Sequence, residues 1–289
     1  MDAGRHPNIE LLSYSEVAEV NGYVGNFQIK VKRKPRYVDE EKCTGCGDCM
    51  KACVWQDRVY SEYEAGMGLH SAVYIPFAQA VPMKAVVDPS SCLLLTLGKC
   101  AQKCVKVCEA DAFDFDQKEE YLDIKVGTVV LATGFDLTDN PALVRYGYGL
   151  YDDVIDGLQF ERLTSAAGPT DGKVVTRDGR VPETIVFLHC IASRDDDAHE
   201  YCSRICCMYT AKQAHLAHDK IPGVKITVFY MDVRAFGKGF EEFYDRVRAE
   251  GIIYRRGNPS EIYKRGNKLI VRAEDTLLGK TVEVPADLV

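Results

Sequence analysis

Twelve cysteines are the residues of this 289-residue chain whose type and spacing could do the most distinctive chemistry. They fall into three groups along the sequence. The groups are Cys43, Cys46, Cys49 and Cys53; then Cys92, Cys100, Cys104 and Cys108; then Cys190, Cys202, Cys206 and Cys207. Because a [4Fe-4S] cluster takes four thiolate ligands, the twelve cysteines divide into three such sites without a remainder.

The first group reads CTGCGDCMKAC, which is the spacing C-x2-C-x2-C-x3-C. Gly45 and Gly47 stand between these cysteines, where tight turns let several thiolates converge. In ferredoxins with this spacing the first three cysteines hold one cluster and the fourth holds the other. The spacing therefore predicts two [4Fe-4S] clusters that exchange their fourth ligands. The predicted ligands are Cys43, Cys46, Cys49 and Cys108 for the first cluster, and Cys53, Cys92, Cys100 and Cys104 for the second.

The second group departs from the ferredoxin spacing, with seven residues between Cys92 and Cys100 and three between Cys100 and Cys104. Val54 and Glu109 follow the two closing cysteines, where ferredoxins carry proline. Zinc is the alternative metal, because four thiolates also bind it tetrahedrally. Two short steps that share a middle cysteine do not, however, suit the paired knuckles of a zinc ribbon.

The third group is of a different kind. The apolar run ETIVFLHC predicts a buried strand that ends at Cys190. The stretch CSRICCMYTAKQAHLAHDK predicts a helix that carries Cys202 and Cys206 one turn apart, next to Cys207, near a terminus whose dipole favours thiolates. These residues can meet at the carboxyl edge of a sheet and hold a third cluster. A redox disulfide with two spectators, or buried structural cysteines, are the alternatives.

The elements around the cysteines divide the chain into three predicted segments. Residues 1–37 contain two alternating stretches separated by the turn NGYVGN, which predicts a β-hairpin. Residues 38–118 carry the first eight cysteines and form a predicted ferredoxin-like domain inserted between strands. Residues 119–289 alternate strand-like and helix-like stretches, a pattern that favours a doubly wound α/β layer with β excursions.

The second strand of the predicted hairpin is basic. Its cationic residues alternate with others, so most of the positive charge falls on one strand face. These residues are Lys30, Lys32, Lys34 and Arg36. The face is either simply solvated or a docking surface for an acidic partner.

A second apolar run, VGTVVLATG, predicts a buried parallel strand that ends in a glycine turn. Segments that end in Ala-Thr-Gly recur in two-dinucleotide-binding-domain flavoproteins, where the chain passes close to the flavin nucleotide. Thr133 and Gly134 are therefore candidate flavin contacts. Arg234 and Lys238, in the loop MDVRAFGKG after another predicted strand, are candidates for flavin electrostatics. No G-x-G-x-x-G follows a strand, so no conventional nicotinamide site is predicted.

Composition argues against several classes of protein. Lys and Arg number 36 against 43 Asp and Glu, a net charge of -7, which argues against nucleic acid or an anionic membrane as the main partner. No apolar run is long enough to cross a bilayer. The opening residues MDAGRHPN do not form a secretion signal, so we expect a cytoplasmic protein. In that reducing compartment clustered cysteines indicate metal or redox chemistry.

Seven distinctive segments resemble one known family, the A subunit of heterodisulfide reductase, an iron-sulfur flavoprotein of methanogenic archaea with relatives in sulfate reducers. The segments are GRHPNIELLSYSEV, GYVGNF, RKPRYVDEEKCTGCGDC, YIPFAQAVP, VLATGFD, YCSRICCMYTAKQA and FYMDVRAFGKGFEEFYDR. The resemblance covers essentially the whole chain. Because the family's full chain is longer at both ends, the resemblance implies an internal piece of it.

The resemblance also implies a fold and a set of cofactors. It implies an incomplete FAD/NAD(P)-binding domain of the thioredoxin-reductase-like type, with an inserted α+β ferredoxin-like domain. In that family the insert carries two [4Fe-4S] clusters, while the flavoprotein domain binds FAD and one further cluster. The third cysteine group would then hold the further cluster.

The implied function is electron transfer between FAD, [4Fe-4S] clusters and ferredoxin, in flavin-based electron bifurcation linked to reduction of the coenzyme M/coenzyme B heterodisulfide. Disulfide reduction belongs to a different subunit in the family, so no catalytic residue is expected here and the piece is expected to be inactive alone. The implied partners are the other reductase subunits, a hydrogenase or formate dehydrogenase that supplies electrons, ferredoxin and a second copy. A flavin-free ferredoxin-like relay, and a thiol-disulfide oxidoreductase using Cys206 and Cys207, stay open.

Overall fold

The computed structural model describes residues 3–138 and 141–289. The chain forms two compact units, Met1–Phe135 and Asp136–Val289. The first unit opens with the predicted hairpin of β1 (Ser15–Tyr23) and β2 (Asn26–Arg33), which are paired antiparallel. Gly22 adopts a φ of 101°, a left-handed conformation that glycine reaches at little cost, and it lies where the hairpin turns.

The cysteine-rich insert consists of short elements. They are α1 (Asp48–Ala52), β3 (Val59–Tyr60), β4 (Leu69–His70), β5 (Val73–Tyr74), β6 (Val86–Val87), α2 (Leu93–Leu97) and α3 (Lys103–Lys106). Strand β7 (Glu120–Val126) follows and pairs antiparallel with β2, with Phe27 opposite Val126. The chain thus leaves the sheet at the end of β2 and returns beside it, which makes the intervening segment an insertion.

A small apolar core supports the insert. Its buried members are Val38, Val73, Ala85, Val87 and Ala112. Val73 and Val87 face each other across the β5–β6 pair, and Val38 bridges to Phe113. Half-buried cysteines of both groups pack against this core, so the thiols form part of the packing of the insert.

The basic residues of the hairpin are paired with carboxylates. Lys30 lies 3.4 Å from Glu19, and Lys32 lies 2.6 Å from Glu119. Lys34 forms an ion pair with Glu16. Because partners within the same unit neutralise these charges, the face is better described as a solvated surface than as a docking site for an acidic protein.

The structure corrects the prediction of a buried parallel strand over VGTVVLATG. Strand β7 ends at Val126 and is antiparallel, and residues 127–138 form no strand. Val130 and Leu131 are 85% and 82% exposed. No strand within the described residues pairs with this run, so its apolar side chains have no sheet to cover.

The second unit stacks three layers. Its elements are α4 (Gly157–Thr164), β8 (Thr184–Leu188), α5 (Cys206–Lys220), β9 (Lys225–Tyr230), α6 (Phe240–Ala249), β10 (Ile253–Arg256), β11 (Pro259–Arg265), β12 (Lys268–Asp275) and β13 (Lys280–Ala286). Strands β8, β9 and β10 form a parallel sheet with β9 in the centre, as expected for alternating strands and helices. Strands β11, β12 and β13 form an antiparallel meander.

Alternation along the parallel strands separates two cores. Ile226 and Val228 of β9 face the helices, where Ala211 and Ala214 of α5 let the helix approach the sheet closely. Phe229, on the opposite face of β9, is fully buried in a second core beneath the meander. Burying a side chain of this kind contributes roughly 1.5–3 kcal/mol.

The mixed α/β prediction is therefore confirmed, but its finer form is not found. A doubly wound layer has helices on both faces of the parallel sheet. Here, among the described residues, helices cover one face and the β-meander covers the other. The assignment of residues 1–37 and 119–289 to one flavoprotein domain, interrupted by 38–118, stays a prediction. No helix within the described ranges is long and apolar enough to cross a membrane.

Candidate metal centres

The insert brings cysteines from its two groups together around a cavity of about 180 Å³. The cysteines that line this cavity are Cys43, Cys46, Cys49 and Cys108. Cys108 follows α3, some sixty positions after the other three, so the fold itself closes this quartet. The residues are those predicted for the first cluster, and their role as ligands stays a prediction.

Glycines and a lysine shape the wall of the first cavity. Gly45 and Gly47 have φ angles of 75° and 81°, and Gly47 caps the start of α1. A Cβ at Gly45 would collide with the carbonyl oxygen of Met83, so the chain passes too close here for any larger residue. The Lys84 ammonium donates to the carbonyl oxygen of Cys43, which places a cation beside the quartet.

A second, tighter cavity of about 20 Å³ lies between the remaining insert cysteines. It is lined by Cys53, Cys92, Cys100 and Cys104, together with apolar residues such as Trp55. Cys53 therefore faces away from the three cysteines that precede it in sequence. This quartet is the one predicted for the second cluster.

Backbone N–H groups point at the sulfur atoms in both cavities. Ala112 N–H donates to Cys108 Sγ at 3.5 Å, and Gln102 N–H donates to Cys100 Sγ at 3.5 Å. Gln102 has a left-handed φ of 49°, which few residues other than glycine adopt. Donors of this kind stabilise negative charge on sulfur, as an iron-sulfur site requires.

The thiols of the insert are held protonated when no metal is bound. Burial, reinforced by neighbouring Cys46 and Cys43, raises the pKa of Cys49 to about 12. Burial likewise raises the pKa of Cys104 to about 11. Because a metal binds the thiolate and not the thiol, metal binding must release these protons.

The third quartet lies at the junction of β8 and α5. Cys190 follows the end of β8 by two residues and has a left-handed φ of 58°. Cys206 and Cys207 are the first two residues of α5. The prediction that Cys202 lies on this helix is wrong: Arg204 has a φ of 66°, a left-handed conformation that ends any helical path from Cys202. Cys202 therefore reaches the site from a loop.

Cys206 is the most acidic thiol that the structure resolves in this quartet. Hydrogen bonds from the Cys207 thiol, the Ser203 hydroxyl and the backbone N–H of Cys190 outweigh burial and lower the pKa of Cys206 to about 6. The same bond raises the pKa of Cys207, whose thiol is the donor. Burial, followed by the charge of Cys206, raises the pKa of Cys190. A helix N-terminus adds to the stabilisation of a thiolate here.

Charged residues surround this third site. Asp232, which follows β9, accepts from Arg194 at 2.8 Å and from Arg234 at 3.3 Å. Its carbonyl oxygen lies 3.9 Å from Cys207 Sγ. Arg204 N–H donates to Cys202 Sγ at 3.3 Å. The site thus joins the ends of β8 and β9 to the start of α5, at the carboxyl edge of the parallel sheet.

The structure does not bring the four predicted flavin residues into one site. Thr133 and Gly134 are exposed and belong to the first compact unit. Arg234 and Lys238 are exposed and belong to the second. Since Arg234 also pairs with Asp232, its guanidinium is part of the surroundings of the third quartet.

Sequence reasoning missed two buried polar side chains near the third quartet. His189 is 1% exposed and directly precedes Cys190. Neither of its ring nitrogens has a hydrogen-bond partner among the described residues, and neither has the hydroxyl of Tyr254. The only sequence signal is a polar residue in the apolar run that ends at Cys190.

The thiols surround space rather than meeting at a point. Among residues 3–138 and 141–289, no group of three or more His, Cys, Asp or Glu side chains is arranged to hold a single metal ion. Zinc draws thiolates to about 2.3 Å from one ion. A wall of cysteines around a cavity of about 180 Å³ suits a four-iron cluster better than one zinc ion.

Comparison with known proteins is consistent with this geometry. Residues 34–55 match a family model described as a 4Fe-4S binding domain, a segment that contains Cys43, Cys46, Cys49 and Cys53. The insert is therefore of the ferredoxin type. The match does not extend to the second or third cysteine group.

Characterised relatives match the chain from end to end, and each is the A subunit of its enzyme. Identity is 48% over 293 residues with that of the H(2):CoB-CoM heterodisulfide,ferredoxin reductase of Methanothermobacter marburgensis, covering 100% of this chain and 43% of the relative. It is 44% with the iron-sulfur protein of this type from the CoB--CoM heterodisulfide reductase of Methanocaldococcus jannaschii, covering 100% and 44%. It is 39% with that of the Ferredoxin:CoB-CoM heterodisulfide reductase of Methanosarcina mazei, covering 98% and 35%.

The chain thus spans less than half the length of these relatives, while its own length is matched almost completely. The resemblance extends through the hairpin, the insert and the second unit, and is not confined to a shared cluster motif. Over its whole length, this chain belongs to the family of heterodisulfide reductase A subunits.

Proposed function

We propose that this chain is an electron-transfer part of a heterodisulfide reductase, in which each cysteine quartet holds one [4Fe-4S] cluster. The observation that carries the proposal is the interleaving of the two insert groups. Cysteines far apart in sequence sort into two separate cavities, each lined by four of them. A cluster in such a site takes up or releases one electron at a potential set by its surroundings.

The first quartet fits a cluster with the surrounding chain as it stands. Its cavity of about 180 Å³ has four thiols on its wall. The ammonium of Lys84, beside Cys43, offsets part of the negative charge that four thiolates would bring. The second quartet is more closed, since about 20 Å³ is roughly the space of one water molecule. Its four side chains would move apart to admit a cluster.

The third quartet is supported by its electrostatics. Cys206 already has a low pKa, and the start of the 15-residue helix α5 favours an anionic group. Arg194, close enough to Cys190 for the two to interact, adds a positive charge. These features favour a third cluster held by Cys190, Cys202, Cys206 and Cys207.

We extend the proposal to FAD, with Thr133, Gly134, Arg234 and Lys238 as contacts. Gly134 has a φ of 75° and open space around its Cα, which would let the chain approach a nucleotide. Arg234 and Lys238 are exposed cations in the loop after β9. A flavin exchanges two electrons and each cluster one, so the combination would serve bifurcation between ferredoxin and the coenzyme M/coenzyme B heterodisulfide.

The proposed partners follow from this role. They are the other subunits of the reductase, a hydrogenase or formate dehydrogenase that supplies electrons, ferredoxin and a second copy of the chain. Two relatives are named for ferredoxin as well as for the heterodisulfide. We place the chain in the cytoplasm and expect it to be inactive without its partners.

The deciding experiment measures iron, acid-labile sulfide and zinc per chain after anaerobic purification and reconstitution. Three clusters give about 12 iron and 12 sulfide. About 8 of each would leave the insert clusters and remove the third from the proposal. Zinc in place of iron would overturn the electron-transfer role. Flavin absorbance after incubation with FAD tests the FAD contacts separately, and its absence would favour a flavin-free relay.

One observation favours a second candidate function, that of a thiol-disulfide oxidoreductase. Cys206 has a pKa of about 6 and accepts a hydrogen bond from the adjacent Cys207, as an attacking thiolate would. This function needs no iron. If iron-free protein reduced a small disulfide and a Cys206→Ser variant did not, this alternative would replace the third cluster.

A further inference from the structure

Two buried polar side chains near the third quartet lack partners. They are His189, with both ring nitrogens, and Tyr254, with its hydroxyl. They account for three of the four such atoms found among the described residues, and His218 supplies the fourth. Burial without a hydrogen bond is costly for a polar group, so an unpartnered buried donor points to a missing acceptor.

His189 lies on the helix-facing side of the parallel sheet. Its N–H donates to the carbonyl oxygen of Phe229 at 3.0 Å, which continues the β8–β9 pairing beyond Leu188. Side chains alternate along the strand, so His189 shares its face with Ile185 and Phe187, which pack in the core beneath the helices. This is the side from which α5 presents Cys206 and Cys207.

Tyr254 reaches the same side from the other edge of the sheet. It lies opposite Val228 of β9, and Val228 in turn lies opposite Phe187 of β8. The three residues form one row across the sheet on its helix-facing side. The Tyr254 ring meets Tyr230 edge-on at 5.8 Å and Tyr244 at 5.0 Å, which fixes its orientation. The charge of Cys207 contributes, after burial and Tyr244, to the raised pKa of Tyr254.

From this placement we infer that His189 and Tyr254 are hydrogen-bond donors to the sulfur atoms of the third cluster. The inference rests on the proposed function, because it needs a cluster at that site. Sulfur that carries negative charge is the acceptor that these buried groups lack, and two donors from opposite edges of the sheet would enclose it. A donor stabilises the more negative, reduced form, so these two side chains would raise the reduction potential of that cluster.

Tyr254→Phe is the sharpest test, because it removes only a hydroxyl. We expect the reduction equilibrium of the third cluster to become about three- to tenfold less favourable, where tenfold is about 59 mV for one electron. Iron content should stay the same. The matched control is Tyr244→Phe, which removes the hydroxyl of a ring that touches Tyr254. This control should leave the potential unchanged.

His189 is tested by a pair of variants. His189→Leu removes the donor and should lower the potential, whereas His189→Gln keeps an N–H donor and should restore part of it. The readout is an EPR-monitored redox titration of the reconstituted chain. The signal that is missing from a Cys206→Ser variant identifies the third cluster.

The outcomes separate this inference from the proposed function. About 8 iron per wild-type chain would remove the third cluster itself, whatever the variants do. If about 12 iron are present and neither Tyr254→Phe nor His189→Leu shifts the potential, the inference is overturned while the cluster stands. A shift in only one of them retains that residue as a donor and eliminates the other.

Discussion

The insert and the third site hold their cysteines in opposite ways. In the insert, eight cysteines lie on loops and on helices of four or five residues, around a core of small and β-branched side chains. In the third site, the cysteines lie at the end of a buried strand and the start of a 15-residue helix. One region depends on its thiols for cohesion, and the other has a scaffold that would persist without them.

The thiols themselves differ in the same direction. In the metal-free insert, burial holds Cys49 and Cys104 in the neutral form, with pKa values of about 12 and 11. At the third site, hydrogen bonds and the helix terminus lower the pKa of Cys206 to about 6. The comparison teaches that a metal would assemble the insert as it binds, whereas the third site is electrostatically prepared in advance.

The largest expected effect compares the loss of one ligand in each region. Cys53→Ser and Cys206→Ser should each lower iron from about 12 to about 8 per chain. Only the first should also loosen the fold, because the insert has little other core to hold it. Hydrogen-deuterium exchange should show rapid exchange across the insert in Cys53→Ser and a protected β8–β10 sheet in Cys206→Ser. Equal protection in both variants would remove the contrast.

The Cys53→Ser variant also tests the crossing of the two insert groups. Cys53 is adjacent in sequence to the first cluster but lines the second cavity. The EPR signal that survives in this variant should therefore match the one that Cys104→Ser leaves, and should differ from the one that Cys108→Ser leaves. A match with Cys108→Ser would mean that the fourth ligands are not exchanged.

The next effect concerns thiol reactivity in the metal-free chain. At pH 7, Cys206 should react with iodoacetamide on the order of a hundredfold faster than Cys49, because thiolate fraction outweighs the lower nucleophilicity of an acidic thiol. The sign follows from the pKa values: labelling of Cys206 should rise with pH through about 6 and then level off. Labelling of Cys49 should keep rising to about pH 12.

Peptide mass spectrometry after timed labelling measures both rates in one sample. Cys104 serves as the internal control, since its pKa is raised to about 11 in the other insert cavity. It should behave as Cys49 does. Similar rates for Cys206 and these two cysteines would show that the third site is not prepared in the absence of metal.

A smaller effect, on stability, is expected from Gly45→Ala. Gly45 has a φ of 75°, which costs an L-residue about 1–2 kcal/mol, and the new Cβ would also collide with Met83. The free energy of unfolding should fall by about 2–4 kcal/mol, and the first cluster should be lost more readily. Urea denaturation and iron content measure the two consequences.

Gly47→Ala is the matched control for this variant. Its φ of 81° imposes the same backbone cost, but its Cβ would meet only Met50 Sδ, at an ordinary 3.8 Å. It should therefore lose about 1–2 kcal/mol and no more. If the two variants were equally unstable, the close approach of Met83 to the first cavity would play no part.

The sequence anticipated what depends on local spacing. The C-x2-C-x2-C-x3-C pattern grouped Cys108 with the first three cysteines, and the fold brings all four to one cavity. The hairpin turn and the buried strand before Cys190 were readable for the same reason, since turn residues and apolar periodicity act over a few positions. Whether the cysteines are ligands stays a prediction.

What the sequence could not show depends on tertiary partners and on single backbone angles. VGTVVLATG has the composition of a buried strand, but no described strand pairs with it. Cys202 lies off the helix because Arg204 turns left-handed, and no propensity scale favours that for arginine. The meander that replaces a second layer of helices, and the unpartnered ring of His189, likewise appear only once distant segments are packed.

The smallest expected effect asks whether the third site depends on its helical scaffold. Asp156 caps α4 by accepting from the N–H groups of Leu158 and Gln159 at 2.8 and 2.9 Å. Helix α4 in turn holds α5, because Gln213 donates to the carbonyl oxygen of Gly157 at 2.7 Å. Asp156→Ala should cost about 1 kcal/mol of unfolding free energy.

The Asp156→Ala variant should retain all its iron, because a cost of about 1 kcal/mol shifts the balance of folding without displacing the start of α5. Asp156→Asn, which keeps a capping oxygen, is the control and should recover most of the stability. Thermal unfolding of the second unit, followed alongside the EPR signal of the third cluster, measures both quantities. Loss of that signal at temperatures where the unit is still folded would mean that the third quartet depends on the seating of the helices as closely as the insert depends on its loops.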